Sequence, residues 1–179
     1  PHHDTVLQQI RFTALRGVLS DYHLYVVLAP HLGNEGGGNT AWLDDFDGTP
    51  LLLAQRDDST LALVCSVPWA KRSVGYVGSS DGWQDLKAHH QMTCEFTRAE
   101  NGNVALTAGI DLAKSQGKFV LSLAFGKDPE EAARNAIAGL KDGFDKAKNA
   151  YIAGWQTWIK TCTALKAAEV KPGDLSQVS

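Results

Sequence analysis

Two pairs of carboxylates in this 179-residue chain have the side chains that general acid and general base chemistry requires. They are Asp81 with Asp85, and Glu35 with Asp44. Two carboxyl groups that flank a glycosidic bond can hydrolyse it, and their separation decides between inversion and retention. A sequence does not give that separation. Because the chain also lacks a Gly-x-Ser-x-Gly elbow and a His-Glu-x-x-His motif, we expect no catalytic residue within it.

The residues that commonly bind metals are poorly spaced for doing so. The histidine pairs at 2–3 and 89–90 are adjacent in sequence, and adjacent strand residues point to opposite faces of a sheet. The acidic stretch 44–48 resembles part of a calcium loop but lacks its twelve-residue spacing and closing Glu, which favours a polar turn. The cysteines are far apart and are expected to be free thiols: Cys65, Cys94 and Cys162. We therefore expect no metal and no cofactor.

A glycine-rich stretch follows a strongly apolar segment and reads HLGNEGGGNT at 31–40. It lacks the Gly-Lys-Ser/Thr end of a phosphate-binding loop, which argues against a nucleotide. Two interpretations remain open. The stretch is either a flexible connection or a loop whose backbone approaches a ligand or another domain, in which case the candidate residues are His31, Asn34 and Asn39.

The second candidate segment is GYVGSSDGWQDL at 75–86. It combines aromatic, amide and carboxylate side chains, which suits sugar recognition because aromatic faces stack on pyranose rings while amides and carboxylates bind hydroxyls. The same mixture suits a structural corner, which the sequence favours. The candidate binding residues here are Asp81, Trp83 and Gln84.

Composition and the chain's first residues limit its partners and its cellular setting. With 17 basic and 20 acidic residues the formal charge is −3, so we expect no nucleic-acid partner. The longest apolar run, 24–30, is too short to span a bilayer, so we expect no membrane partner. The chain begins with Pro rather than Met, which favours a piece of a longer polypeptide or a processed end. The sequence leaves the compartment open between cytoplasm and periplasm or exterior.

The first 127 residues are typical of a mainly β fold. About eight segments have strand patterns, separated by turn residues without helices between them, at 6–12, 22–29, 51–56, 60–66, 73–77, 92–98, 103–112 and 118–125. Asn101 and Gly102 suit a two-residue turn that joins the sixth of these to the seventh. We expect an antiparallel sandwich or barrel and exclude a Rossmann-type sheet.

Helical patterns begin after Gly126. Asp128 is a suitable N-cap and Pro129 a suitable first residue, and the apolar residues beyond them recur at three- and four-residue steps. Gly143 predicts a break into two helices. Beyond 171–173 the chain is polar.

The order of motifs resembles the N-terminal domain of bacterial glucoamylases and glucodextranases in glycoside hydrolase family 15. The matching segments include LYVVLAPHL at 24–32, GN at 38–39, LLA at 52–54, SVGYVGSSDGWQDL at 73–86, GNVALT at 102–107 and LAFG at 123–126, then EA at 131–132, Tyr151 and GW at 154–155. The most specific of them is 75–86.

The resemblance implies an antiparallel β-sandwich of the galactose-mutarotase type over 1–127, incomplete at its N-terminal side. Linker helices over 128–165 and a polar tail over 166–179 would follow. In that family a separate (α/α)6 barrel hydrolyses α-glucans and releases glucose, so this segment is expected to be noncatalytic. Its implied partners are that barrel, in the same parent protein, and an α-glucan or oligosaccharide. The aromatic residues expected to pack on the barrel are Tyr151, Trp155 and Trp158.

Two alternatives stay open. The chain could be a stand-alone carbohydrate-binding module, which would bind maltose, isomaltose or dextran unaided. It could also be a mutarotase-like sugar epimerase, which needs a general acid and a general base that the sequence does not locate.

Overall fold

The computed structural model describes residues 4–169, with side chains as far as 162. The described part contains nine strands, β1 Thr5–Arg11, β2 Leu24–Leu28, β3 Asn39–Phe46, β4 Thr49–Arg56, β5 Ser59–Cys65, β6 Trp69–Tyr76, β7 Arg98–Gly102, β8 Val104–Ile110 and β9 Lys118–Gly126. It also contains four α-helices, α1 Gly82–His89, α2 Leu112–Ser115, α3 Pro129–Asp142 and α4 Phe144–Glu169. Contacts divide the chain between Phe144 and Asp145 into two compact units.

The larger unit is built on two antiparallel sheets. One has six strands in the order β1-β9-β5-β4-β3-β7, and the other has three in the order β2-β8-β6. Apolar side chains from both sheets form one buried cluster, with Leu52, Leu63 and Leu106 among its members. Burial of apolar side chains from two facing sheets is what stabilises a sandwich. The predicted antiparallel sandwich followed by C-terminal helices is confirmed.

The six-stranded sheet is buried on both faces where α3 covers it. Leu51, Leu53 and Val64 point away from the sandwich core and pack with the small residues of α3, of which Ala132 and Ala136 are fully buried. This double burial explains the apolar runs at 51–54 in β4 and at 61–65 in β5. The sequence grouped both helices in a linker over 128–165, whereas the contacts place α3 with the sandwich.

Strand β3 was missing from the prediction. Asp44 and Asp45, assigned to a polar turn, continue β3, and the turn consists only of Asp47 and Gly48, with φ of 49° and 73°. Positive φ at both central residues is the geometry that a tight hairpin between β3 and β4 requires. The two acidic residues fit a strand because their side chains are exposed.

The predicted strand at 92–98 and its hairpin to 103–112 are wrong. Strand β7 begins only at Arg98 and pairs with β3, while β8 lies in the other sheet. Asn101 has a φ of 49° and Gly102 does not have a positive φ, so they do not form the expected two-residue turn. The expected lack of helices between strands is also wrong, because α1 and α2 lie there.

The predicted cap and break in the helical region are confirmed. The Asp128 side chain accepts a hydrogen bond from the Glu131 N–H, Pro129 is the first helical residue, and Gly143, with φ of 85°, separates α3 from α4. Helix α4 continues to Glu169, past the expected end at 165. The predicted tail at 166–179 thus begins within α4, and 170–179 lie outside the described residues. In the described part, every helix is too short or too polar to cross a membrane.

Candidate functional site

Asn39 organises the glycine-rich loop between β2 and β3. It is fully buried, and its Oδ1 accepts a hydrogen bond from the Leu32 N–H at 3.2 Å. Its Nδ2 lies 3.0, 2.8 and 3.2 Å from three carbonyl oxygens, those of Glu35, Gly36 and Gly37. A buried amide with every polar atom paired fixes the path of the backbone around it. The loop is therefore an ordered structure built on one side chain.

Arg56, on the neighbouring strand β4, ties the same loop to the sheet. Its Nη1 donates to the Leu32 carbonyl at 3.3 Å, and its Nη2 lies 2.7 Å from Oε2 of Glu35. The other two candidate residues of the loop, His31 and Asn34, are exposed. Of the three candidates, Asn39 is therefore buried and holds the loop backbone, whereas His31 and Asn34 are open to solvent.

The segment 75–86 contains the end of β6, a compact turn closed by Asp81, and the start of α1. The Tyr76 carbonyl accepts hydrogen bonds from the N–H groups of residues 79, 80 and 81. Asp81 is 4% exposed, and its carboxylate accepts from the Gly78 N–H at 2.5 Å and from the Gln84 N–H at 3.0 Å. The second of these bonds is the N-cap of α1. Both carboxylate oxygens of Asp81 are therefore used to build the corner.

Asp85 anchors the chain that follows α1. Its buried carboxylate accepts from the N–H groups of Thr93 and Cys94 at 2.6 and 2.9 Å, from the Thr93 hydroxyl, and from Nδ1 of His89 at 2.9 Å. Burial by itself raises the pKa of this carboxyl, but the hydrogen bonds from Thr93, Cys94 and His89 outweigh burial and lower the pKa well below its usual range. This role has no signal in the sequence, because the N–H groups that Asp85 binds lie eight and nine residues away in an irregular segment.

The remaining residues of the corner differ in exposure. Trp83 is 60% exposed on α1, while Gln84 is half-buried and contributes its backbone N–H to the cap. Asn103 connects this corner with the glycine loop, since its carbonyl accepts from the Val77 N–H at 2.8 Å and its side chain lies against Gly36. The two candidate segments therefore meet at one end of the sandwich.

The four carboxylates considered for acid–base chemistry all have structural partners. Besides Asp81 and Asp85, Glu35 forms its ion pair with Arg56, and Asp44 accepts from the Asp45 N–H at 2.8 Å. Among the described side chains, which end at residue 162, no three His, Cys, Asp or Glu are placed to hold a metal ion.

Helix α4 carries three aromatic side chains in contact with one another. Tyr151 and Trp155 pack edge to face with ring centroids 6.1 Å apart, and Trp155 and Trp158 do so at 5.3 Å. All three are exposed, at 66, 47 and 57%. We call these three residues the aromatic ladder.

These features define a class of protein: an antiparallel β-sandwich domain with an ordered loop and a capped corner at one end. A family model described as "Glucodextranase, domain N" matches residues 1–160, and the chain belongs to that family.

Two glucoamylases are similar to this chain over most of its length. A glucoamylase from Clostridium sp. (strain G0005) is 33% identical over 172 residues, which are 96% of this chain and 24% of the relative. A crystal structure of a bacterial glucoamylase complexed with acarbose superposes with a TM-score of 0.85 at 33% identity, covering 89% of this chain and 23% of the other. The chain therefore spans about a quarter of the length of these relatives.

Proposed function

We propose that this chain is the noncatalytic β-sandwich domain of a glucoamylase- or glucodextranase-type exo-glucosidase, which hydrolyses α-glucans and releases glucose. Its partner is a catalytic (α/α)6 barrel in the same parent protein. The observation that carries the proposal is that nearly the whole chain matches about a quarter of each of two longer glucoamylases. The structural use of Asp81 and Asp85 supports it, because a carboxylate whose oxygens are bound by the protein is not free to protonate or deprotonate a substrate.

We assign the exposed candidate residues to the interface with the barrel or to the rim of its substrate site. His31, Asn34 and Trp83 offer side chains to a neighbour, while Asn39 and Asp81 hold the backbone that carries them. Gln84 belongs to the second group through its cap. Loops placed by a rigid sandwich are the usual sites of such contacts.

The aromatic ladder is the proposed packing surface of the linker on the barrel. Exposed Trp and Tyr side chains are among the residues that contribute most when an interface covers them. Burial of Trp155 and Trp158 would remove apolar surface that is now open to solvent.

The experiment is made on the parent polypeptide, whose mass should be about four times that of this chain by the coverage of the Clostridium relative. Trp155→Ser should lower the melting temperature and the rate of glucose release, because it removes about 2 kcal/mol of interface stabilisation. Leu15→Ser is the control, since Leu15 is already 92% exposed in an irregular segment. Equal effects of the two substitutions would argue against a ladder that packs on the barrel.

Trp83→Ala tests the corner separately. A role at the rim predicts weaker oligosaccharide affinity with an unchanged melting temperature, whereas a role at the interface predicts a lower melting temperature. If turnover, affinity and melting temperature all stay the same, Trp83 has neither role.

A further inference from the structure

A polar cleft of about 440 Å³ opens on the outer face of the six-stranded sheet. It lies at β4, β3 and β7, whereas α3 packs chiefly on β9, β5 and β1. Strand register places Thr40 opposite Gln55 and Trp42 opposite Arg98. Because Thr40 and Trp42 are two residues apart on one strand, all four side chains point to the same face. Arg56 and Asp57 complete the cleft beside the glycine loop.

The cleft contains two planar groups in contact with each other. The Arg98 guanidinium lies over the Trp42 ring, 5.6 Å from its centroid, which is a cation–π contact. Arg98 Nε is held by Glu100 at 2.5 Å, and Trp42 packs against the apolar cluster beneath α3. Both planar groups are thus held in place before any ligand arrives, which lowers the entropy cost of binding to them.

Both positive charges of the cleft are already paired with carboxylates. Arg56 has Glu35 at 2.7 Å and Asp57 at 3.7 Å, and Arg98 has Glu100. An anionic ligand would therefore have to displace carboxylates that belong to the protein. A neutral ligand with many hydroxyls would not, and it would find donors and acceptors at guanidinium, amide and hydroxyl groups.

We propose that this cleft binds a neutral oligosaccharide of glucose, as a second contact for the α-glucan chain outside the catalytic barrel. The cleft volume lies within the range of about 300–1,000 Å³ that is usual for small-molecule sites. The planar groups of Trp42 and Arg98 offer surface to a pyranose ring, and Gln55 and Asp57 suit its hydroxyls. The choice of glucose as the sugar rests on the proposed function.

The test is a heteronuclear NMR titration of the 179-residue chain with maltoheptaose. Amide shifts should concentrate at 38–42, 55–57 and 98. Arg98→Ala and Gln55→Ala should each weaken binding roughly 3- to 10-fold, the effect of losing one or two hydrogen bonds. Arg134→Ala is the matched control: its side chain is 52% exposed against 53% for Arg98, and each arginine pairs with a glutamate on its own element. It should leave binding unchanged.

Three results would overturn the cleft as a sugar site. They are a lack of shifts at millimolar maltoheptaose, shifts that persist unweakened in both cleft variants, and stronger binding of inorganic phosphate than of the sugar. The amide spectra of both variants show whether each is folded: unchanged dispersion of the remaining amide signals means that weaker binding comes from lost contacts and not from misfolding. These three results would not contradict the proposed role as the noncatalytic domain beside a catalytic barrel. That role is tested separately by the stability and activity of the parent polypeptide.

Discussion

Replacement of Asn39 by Ala tests whether one side chain holds the glycine-rich loop. Asn39 is fully buried and contacts one N–H and three carbonyl groups of residues 32–37. Its amide nitrogen carries two hydrogens, so at most two of the three carbonyl contacts are full hydrogen bonds at any time. With the acceptor bond, the side chain makes about three hydrogen bonds.

Each of these bonds contributes about 1 kcal/mol, so Asn39→Ala should lower the free energy of unfolding by about 3 kcal/mol. For a chain of this length that is a fall in melting temperature of roughly 6–12 °C. Asn39→Asp should cost at least as much, because it keeps the acceptor for Leu32 but turns an oxygen toward three carbonyls.

Urea unfolding at neutral pH measures the change directly, provided that the denaturant slope is unchanged. Asn34→Gly is the control, because Asn34 is exposed with a φ of 61°, which glycine adopts easily, and its effect should stay within about 1 kcal/mol. A loss below about 1 kcal/mol for Asn39→Ala would refute the role given to this amide.

Two further predictions concern the corner. The folded-state pKa of Asp85 lies below its unfolded value, so the stability that the Asp85 carboxylate contributes is present above about pH 4 and is lost as pH falls below that. Urea unfolding across acid pH should therefore show a smaller decline in the free energy of unfolding for Asp85→Asn than for the unsubstituted chain. Gly82→Ala should cost about 2 kcal/mol, because the new Cβ would lie 2.3 Å from the Thr107 side chain, which is 1% exposed. Gly154→Ala is the control: a Cβ there meets open space, so thermal unfolding should show unchanged or higher stability. Equal losses of stability in the two glycine variants would contradict the close contact between Gly82 and Thr107.

The sequence predicted the elements whose signals are local. Strands β4 and β5 contain the apolar runs 51–54 and 61–65, and α3 has its cap, its first-turn proline and its terminating glycine within one segment. Such features depend on a few neighbouring residues, so a single sequence contains them.

The missed features depend on residues far apart in the chain. Strand β3 has two exposed aspartates just before its last residue, Phe46, and they resemble a turn unless the neighbouring strands are known. The true pairing of β7 with β3 joins residues 98–102 to residues 39–42 across the fold. The Trp42–Arg98 contact follows from that pairing, so the cleft had no signal in the sequence.

The two candidate segments differ in how much of their structure the sequence indicated. The sequence favoured a structural corner at 75–86, and the bonds of Asp81 and Asp85 agree with that preference. At 31–40 it left open a flexible connection and a loop whose backbone approaches a ligand or another domain. The hydrogen bonds of Asn39 that order this loop had no signal in the sequence, because whether Asn39 points inward depends on the path of the loop itself.

The most direct test of the central claim is glucose release from maltoheptaose by the purified 179-residue chain. The proposed noncatalytic role predicts that the chain releases none above the buffer blank, whereas the proposed parent polypeptide releases it readily. Release of glucose by the chain alone, abolished by Asp81→Asn or Asp85→Asn, would contradict the account.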